Sequence, residues 1–162
     1  MEDNERVPNR IKAVYETWYE GIEDMNTPPN LDRINKWFNT DAEFDKLIIE
    51  SHLADYDEII KDEGLSWSEY PNGKVAVIIV LDQLARNIFR KQAKAFAADS
   101  VALKITKDMI ETGEFKNLQF LEKVFVYVPL EHSENLEDQI QSIETLKGLL
   151  KEYENEDQER YC

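Results

Sequence analysis

The stretch KVAVIIVLDQLARNIFR, residues 74–90, decides the fold. From Val75 to Leu81 every position is apolar, which on a helix means burial on all faces rather than along one stripe. From Asp82 onward, charged and amide side chains recur at a spacing of four: Asp82 with Arg86, Gln83 with Asn87, Arg86 with Arg90. On a helix such pairs stand one turn apart on adjacent stripes. The spacing therefore predicts a central helix, sunk in the protein at its start and polar in its second half. Val75 to Leu81 also suits a strand, as does Val124 to Val128, because both are rich in β-branched and aromatic residues. A two-strand α/β fold is thus the competing arrangement. Both segments run into longer helical patterns with no turn signal between, so helix is the reading adopted.

The flanking sequence reads as helices as well. Pro8 to Glu23 carries Ile11, Val14, Tyr15, Trp18 and Ile22 at helical spacing, and Thr27-Pro28-Pro29-Asn30 breaks the pattern. Leu31 to Phe38 fits a short helix. Thr40 and Glu43 have the spacing of a capping box, opening a long helix to about Lys61 that Gly64 stops. Pro71-Asn72-Gly73 forms the turn into the central helix. Beyond it, Ala93 to Thr112 predicts one helix and a segment capped by Asn117 another, ended or kinked at Pro129. The last begins near Ser133, with Leu136, Ile140, Ile143, Leu146 and Leu150 on one stripe, and gives way to a polar, acidic stretch from Glu152 to Arg160. Short connections between consecutive helices predict an all-α antiparallel helical hairpin array in one domain, and no fixed-period repeat is visible.

Composition limits the partners. A chain of 162 residues, 42% hydrophobic and 33% charged, suits one compact core. Its net charge of -15 repels phosphate backbones and anionic bilayers, and only Arg86, Arg90, Lys91 and Lys94 form even a modest basic cluster, so neither nucleic acid nor membrane is an expected partner. Cys162 is the only cysteine, so no internal disulfide can form. Met1 to Asn9 lacks the apolar run of a signal peptide, and the longest aliphatic run falls far short of the ~20 residues that span a bilayer. A cytoplasmic location is the expectation.

Burying charge costs several kcal/mol unless it is paired and hydrogen-bonded, so the polar half of the central helix needs a reason. Asp82 and Arg86 either pair structurally and fix packing register, or line a pocket with Gln83, Asn87 and Arg90 for a polar ligand, or place Asp82 in catalysis. Asp99, amid Phe96, Ala97 and Ala98, is either a solvated side chain or a partner for Arg86 or Arg90. Glu131-His132-Ser133-Glu134 reads as a capping segment or as acid–base machinery, with His132 titrating near neutrality beside a carboxylate such as Glu134. Metal binding there would need a further ligand from Asp99 or Asp82, and the spacing of His132 and Glu134 is no recognised ligand signature; no metal or cofactor is expected. His52 reads as a surface side chain, and Trp18, Trp37 and Trp67 as core anchors.

The same polar groups carry a family resemblance. DQLARNIFR (82–90), AFAAD (95–99) and FVYVPLEHSE (125–134) with Gln139, together with Trp37-Phe38 and DAEFD (41–45), resemble the family called domain of unknown function 924. The resemblance spans about Val14 to Gln139. It implies a tetratricopeptide-like helical array with a groove bordered by the polar residues of the central-helix, Asp99 and His132 segments, and it implies no activity. Ala85 stands where the family usually has proline. Family members continue into an Arg/Phe/Gly-rich stretch with a Pro-His-Arg-Asn motif, so residues 1–162 are expected to lack C-terminal helices of the family.

Two functions are expected from this pattern. One is a binding or scaffold module whose polar groove holds a peptide or small polar ligand. The other is a small-molecule enzyme using His132, Glu134 and Asp82 for acid–base chemistry, with Arg86, Asn87, Arg90, Asp99 and Gln83 binding the substrate.

Overall fold

The computed structural model describes the backbone of residues 3–161 and the side chains of residues 4–155; Met1, Glu2 and Cys162, which carry part of the reading of the termini, lie outside the described residues. Among the described residues the protein is all-α, with no strand. Helix α1 spans Asp3–Trp18, α2 Leu31–Phe38, α3 Ala42–Asp62 and α4 Leu65–Ser68. The central helix follows as α5 (Gly73–Ile78), a π-helical segment (Ile79–Leu84) and α6 (Ala85–Ile88). A 3-10 turn at Ala93–Phe96 leads to α7 (Asp99–Thr112), and another at Glu114–Asn117 leads to α8 (Phe120–His132) and α9 (Leu136–Tyr161).

The central helix is the axis of the fold. It packs against α1 and α3 on one side and α7 and α8 on the other. Ala76 to Leu81 have no exposed surface, as the unbroken apolar run requires. The helical backbone of residues 75–81 and 124–128 overturns the strand reading of both segments. β-branched residues prefer strands only weakly, and packing against four helices outweighs that preference. Gly73 starts the helix because its backbone lies on that of the preceding turn. A Cβ there would stand 1.8 Å from the Trp67 carbonyl oxygen.

Several expected boundaries shift for identifiable reasons. Helix α1 begins at Asp3, upstream of Pro8, because the proline leaves only the carbonyl of exposed Asn4 without its helical donor. It ends at Trp18, and Gly21 turns the chain at φ 79°. The cap of α3 is Asp41, not Thr40: its carboxylate accepts the Phe44 amide at 3.0 Å and the Lys36 ammonium at 2.7 Å. The far end of α3 uses Glu63 (φ 55°) and Gly64 (φ 77°) in the left-handed region. Residues 93–112 do not make one helix, since the chain breaks at Ala97–Ala98 and restarts at Asp99, whose carboxylate suits a helix N-terminus. Helix α8 is capped by Gln119 with Glu122, not by Asn117, and runs through Pro129 to His132. Helix α9 remains helical through the polar residues after Glu152.

His52 corrects a further expectation. It has no exposed surface and faces α1. Its Nδ1 lies 2.8 Å from an Asp55 oxygen and its Nε2 2.8 Å from the Thr17 hydroxyl, while Arg10 clamps Asp55 at 2.6 and 2.8 Å. With Nδ1–H donated to the carboxylate, Nε2 accepts from Thr17, and the network ties α1 to α3. No helix among the described residues is long and apolar enough to cross a membrane.

Candidate functional site

The site is built from the π segment outward. A π turn widens the helix by one residue, and such insertions occur mostly at functional positions. Here it carries Asp82, which is fully buried, and Gln83, nearly so. The Asp82 carbonyl accepts a hydrogen bond from Arg86 Nη1. The same guanidinium donates to both oxygens of Asp99 at 3.2 and 3.1 Å, lies 3.6 Å from the Asp82 carboxylate, and rests over the Phe96 ring at 5.2 Å. Asp99 thereby leaves the solvated alternative and becomes the partner of Arg86. Its carboxyl is pushed above the usual carboxylate range by burial, with the nearby Asp82 adding to the rise and Arg86 only partly offsetting it.

Helix α8 delivers His132 to this cluster. Its Nδ1 lies 2.9 Å from Asp82 Oδ1 and 2.9 Å from Arg86 Nη2. One ring nitrogen cannot both donate to the first and accept from the second. The buried carboxylate has the greater need, since among the described residues its other side-chain hydrogen bond is from the Gln83 amide at 2.6 Å, with Arg86 standing 3.6 Å away. Arg86 is already satisfied by Asp99 and the Asp82 carbonyl. We therefore place the proton on Nδ1, donated to Asp82, which leaves Nε2 as an acceptor.

A second clamp lies one turn further on. Arg90 donates to both oxygens of Asp45 on α3 at 2.5 and 2.8 Å, and Asn87 adds 2.9 Å. Burial raises the Asp45 pKa, but the hydrogen bonds from Arg90 and Asn87 outweigh it and hold the carboxyl below its ordinary value.

Between the two clamps opens a recess of about 450 Å3. Gln83, Arg86, Asn87 and Arg90 form its central-helix wall, Trp37 and Phe38 come from α2, and Tyr127, Glu131 and His132 from α8. Asp82, Asp99 and Asp45 support this wall from behind. Of the residues singled out in the sequence, Asp82, Gln83, Arg86, Asn87, Arg90, Asp99 and His132 come together here. Glu134 does not: it is exposed and outside the lining, and the carboxylate beside His132 is that of Asp82. Glu131 lines the recess and accepts the Tyr127 hydroxyl at 3.2 Å. Gln139 holds the corner between α8 and α9 by donating to the carbonyls of Glu131 (2.8 Å) and Ser133.

Sequence reasoning missed Asp45, Tyr127 and the aromatic pair of α2 as site residues. Asp45 stood next to Phe44 and three before Ile48, at the edge of an apolar stripe, the same signal that marked Asp82. The aromatic residues looked like core. Trp37 does stack on core Trp18 (5.8 Å), but Phe38 is 69% exposed at the rim.

Asp82, Asp99 and His132 can each present a ligand atom, all within 4.8 Å of one another, a spacing a metal ion could use. Arg86 contacts all three, so the positive charge such ligands require is already supplied by the guanidinium. The other histidine network, Thr17–His52–Asp55, has the connectivity of a nucleophile, base and orienting acid. Thr17 and His52 both lie within helices, where backbone amides are committed to the helix and unavailable to a developing oxyanion. Glu16, Glu20 and Glu50 line the adjoining recess and oppose negative charge there. That network is structural.

Comparison with known proteins agrees with this geometry only at the level of fold and family. Residues 14–162 match the family model described as bacterial protein of unknown function (DUF924). A solved structure, that of the protein of unknown function ATU0120 from Agrobacterium tumefaciens, superposes with a TM-score of 0.70 at 22% identity, covering 88% of this chain and 80% of that one. No curated protein matches the sequence.

Proposed function

We propose, from the premise that the chain belongs to the DUF924 family of bacterial proteins, that it binds a small polar ligand in the recess between α2, the central helix and α8. The observation that carries this reading is Arg86. A guanidinium only a quarter exposed is held by Asp82 and Asp99, beside His132, at the wall of an open recess. Buried ionic clusters add little net stability, because desolvation consumes most of the attraction between the charges. A cluster of this kind set in a π segment is better explained by what it presents than by what it holds together. Its volume falls in the range of small-molecule sites and favours a compact ligand over a peptide. The all-α fold is compatible with the protein-binding alternative, but the fold itself carries no function.

The charges narrow the ligand class. Arg86 is already matched by Asp82 and Asp99, and Arg90 by Asp45, so the recess has no surplus positive charge for a multiply charged anion. What it offers is amide groups from Gln83 and Asn87, the free Nε2 of His132, the Glu131 carboxylate and the faces of Trp37 and Phe38. A neutral polyol or a zwitterion of amino-acid type fits that set. The second reading, acid–base catalysis, draws on one specific contact. A buried Asp82 holding His132 by Nδ1 leaves Nε2 positioned as a general base for whatever occupies the recess.

Thermal unfolding against a panel of amino acids, betaines, polyols and di- and tricarboxylates tests the binding reading. Zwitterions or polyols should raise the wild-type Tm, and Arg86→Lys, which cannot reproduce the planar fork, should abolish the shift. A response limited to multiply charged anions overturns the ligand class. An equal response in wild type and variant places binding elsewhere.

A further inference from the structure

Glu131 lines the recess from α8, and among the described residues its carboxylate pairs with no basic side chain. It is nonetheless held in one orientation. Tyr127, one turn earlier, donates its hydroxyl to Oε2 at 3.2 Å. Burial, with the Glu131 charge adding to it, pushes the Tyr127 phenol above its ordinary value, so the hydroxyl remains a donor across the neutral range. Ser142, buried on α9, hydrogen-bonds to the same phenol. Gln139, also of α9, fixes the main chain by donating to the Glu131 carbonyl at 2.8 Å. A glutamate on a helix surface ordinarily rotates freely, and holding it still costs side-chain entropy. The arrangement leaves Oε1 with a fixed direction and no hydrogen-bond donor among the described residues.

We infer, resting on the binding proposed above, that Glu131 selects the occupant of the recess, and that it selects an amino group bearing N–H, as in an α-amino acid, over a polyol or a methylated ammonium. A hydrogen bond between an ammonium and a carboxylate is roughly twice as strong as one between neutral groups, so the charged donor gains most from Oε1. A polyol hydroxyl would leave the charge of the carboxylate unmatched. A methylated ammonium has no N–H to give, and a directed oxygen offers it nothing that a freely turning one would not. The acid end of an amino acid meets donors on the central-helix wall. Gln83 and Asn87 each use one amide N–H, on Asp82 and Asp45, and have a second to offer. Glu131 is thus the specificity-determining residue of the recess, and Tyr127 and Ser142 are positioning residues that act through it.

Thermal unfolding of the protein with the common amino acids, each beside the α-hydroxy acid and the N-trimethyl betaine of the same skeleton, and with polyols, tests the inference. An amino acid should raise the wild-type Tm, and the concentration dependence of the shift should show its hydroxy acid and betaine binding about tenfold more weakly or worse. Glu131→Gln keeps the shape and removes the charge. It should lose about tenfold in affinity for the amino acid and little for the hydroxy acid, so that the preference collapses. Tyr127→Phe should lower the same preference by a smaller factor, about threefold. Glu131 is exposed, so its variant should unfold near the wild-type Tm without ligand, and a preference measured within one variant is a ratio that a general loss of stability leaves alone. Polyols, betaines or hydroxy acids that match the amino acid in an Arg86-dependent response overturn this inference and leave the recess reading standing. The absence of a response to any of these classes removes both. A Glu131→Gln variant with the wild-type preference shows that another group reads the amine, and overturns the role of Glu131.

Discussion

Arg86→Ala should destabilise the protein by about 3–5 kcal/mol at neutral pH, the range found when one partner of a buried ion pair is removed. The variant leaves Asp82 fully buried, with Asp99 beside it and no guanidinium between them. The pH dependence identifies the cause. Asp99 already has a raised pKa in the folded protein, through burial and the proximity of Asp82, and loss of Arg86 raises it further. A carboxyl whose folded pKa exceeds its unfolded value binds its proton more readily when folded. The penalty is therefore full above the folded pKa and is relieved as pH falls through it. Urea unfolding at neutral and mildly acidic pH should show the gap between variant and wild type shrinking on the acid side. A gap independent of pH would mean the loss comes from packing against Phe96 and not from charge.

The second large effect lies outside the recess. Asp55→Ala removes the carboxylate that both Arg10 and buried His52 use, and should cost about 3 kcal/mol through the loss of a charge-assisted hydrogen bond and an unsatisfied ring nitrogen. Its pH signature is opposite in sign. Burial raises the Asp55 pKa, but the hydrogen bonds of Arg10 and His52 outweigh it and leave the carboxyl below its ordinary value. The stabilisation is thus present above the unfolded carboxylate range and lost as pH falls through the lowered folded pKa. Wild type should lose stability over that acid window, and Asp55→Ala should lose less. Ligand binding in the recess should be unaffected, because this network ties α1 to α3 and touches none of the recess lining.

The two networks also show what the sequence made legible. The central helix was readable because an apolar run on every face has one physical meaning, and its polar half was readable because charges on such a helix demand partners. Those partners were less visible. Asp99 could be narrowed only to a solvated residue or a mate for one of two arginines, and His132 to a cap or a base, because the choice depends on how α7 and α8 approach the central helix. The π segment left no trace: VLDQL contains neither glycine nor proline, and the extra residue is accommodated by neighbours distant in sequence. His52 was misread for a related reason. Glu50 and Ser51 beside it are polar, and only the docking of α1 brings Thr17 and Arg10 to that face. The break before Asp99 likewise had no glycine or proline to announce it.

On the binding reading, Asp82 and Arg86 are kept for what they present to the recess and not for stability. Thermal unfolding of the triple replacement Asp82→Leu, Arg86→Met and Asp99→Leu measures this, since the guanidinium and both of its carboxylates leave together and apolar groups take their place. A cooperative transition at or above the wild-type Tm is expected, in contrast to Arg86→Ala alone. A triple variant that unfolds as far below wild type as Arg86→Ala would show that the charged cluster holds the fold together and would refute the binding reading of Arg86.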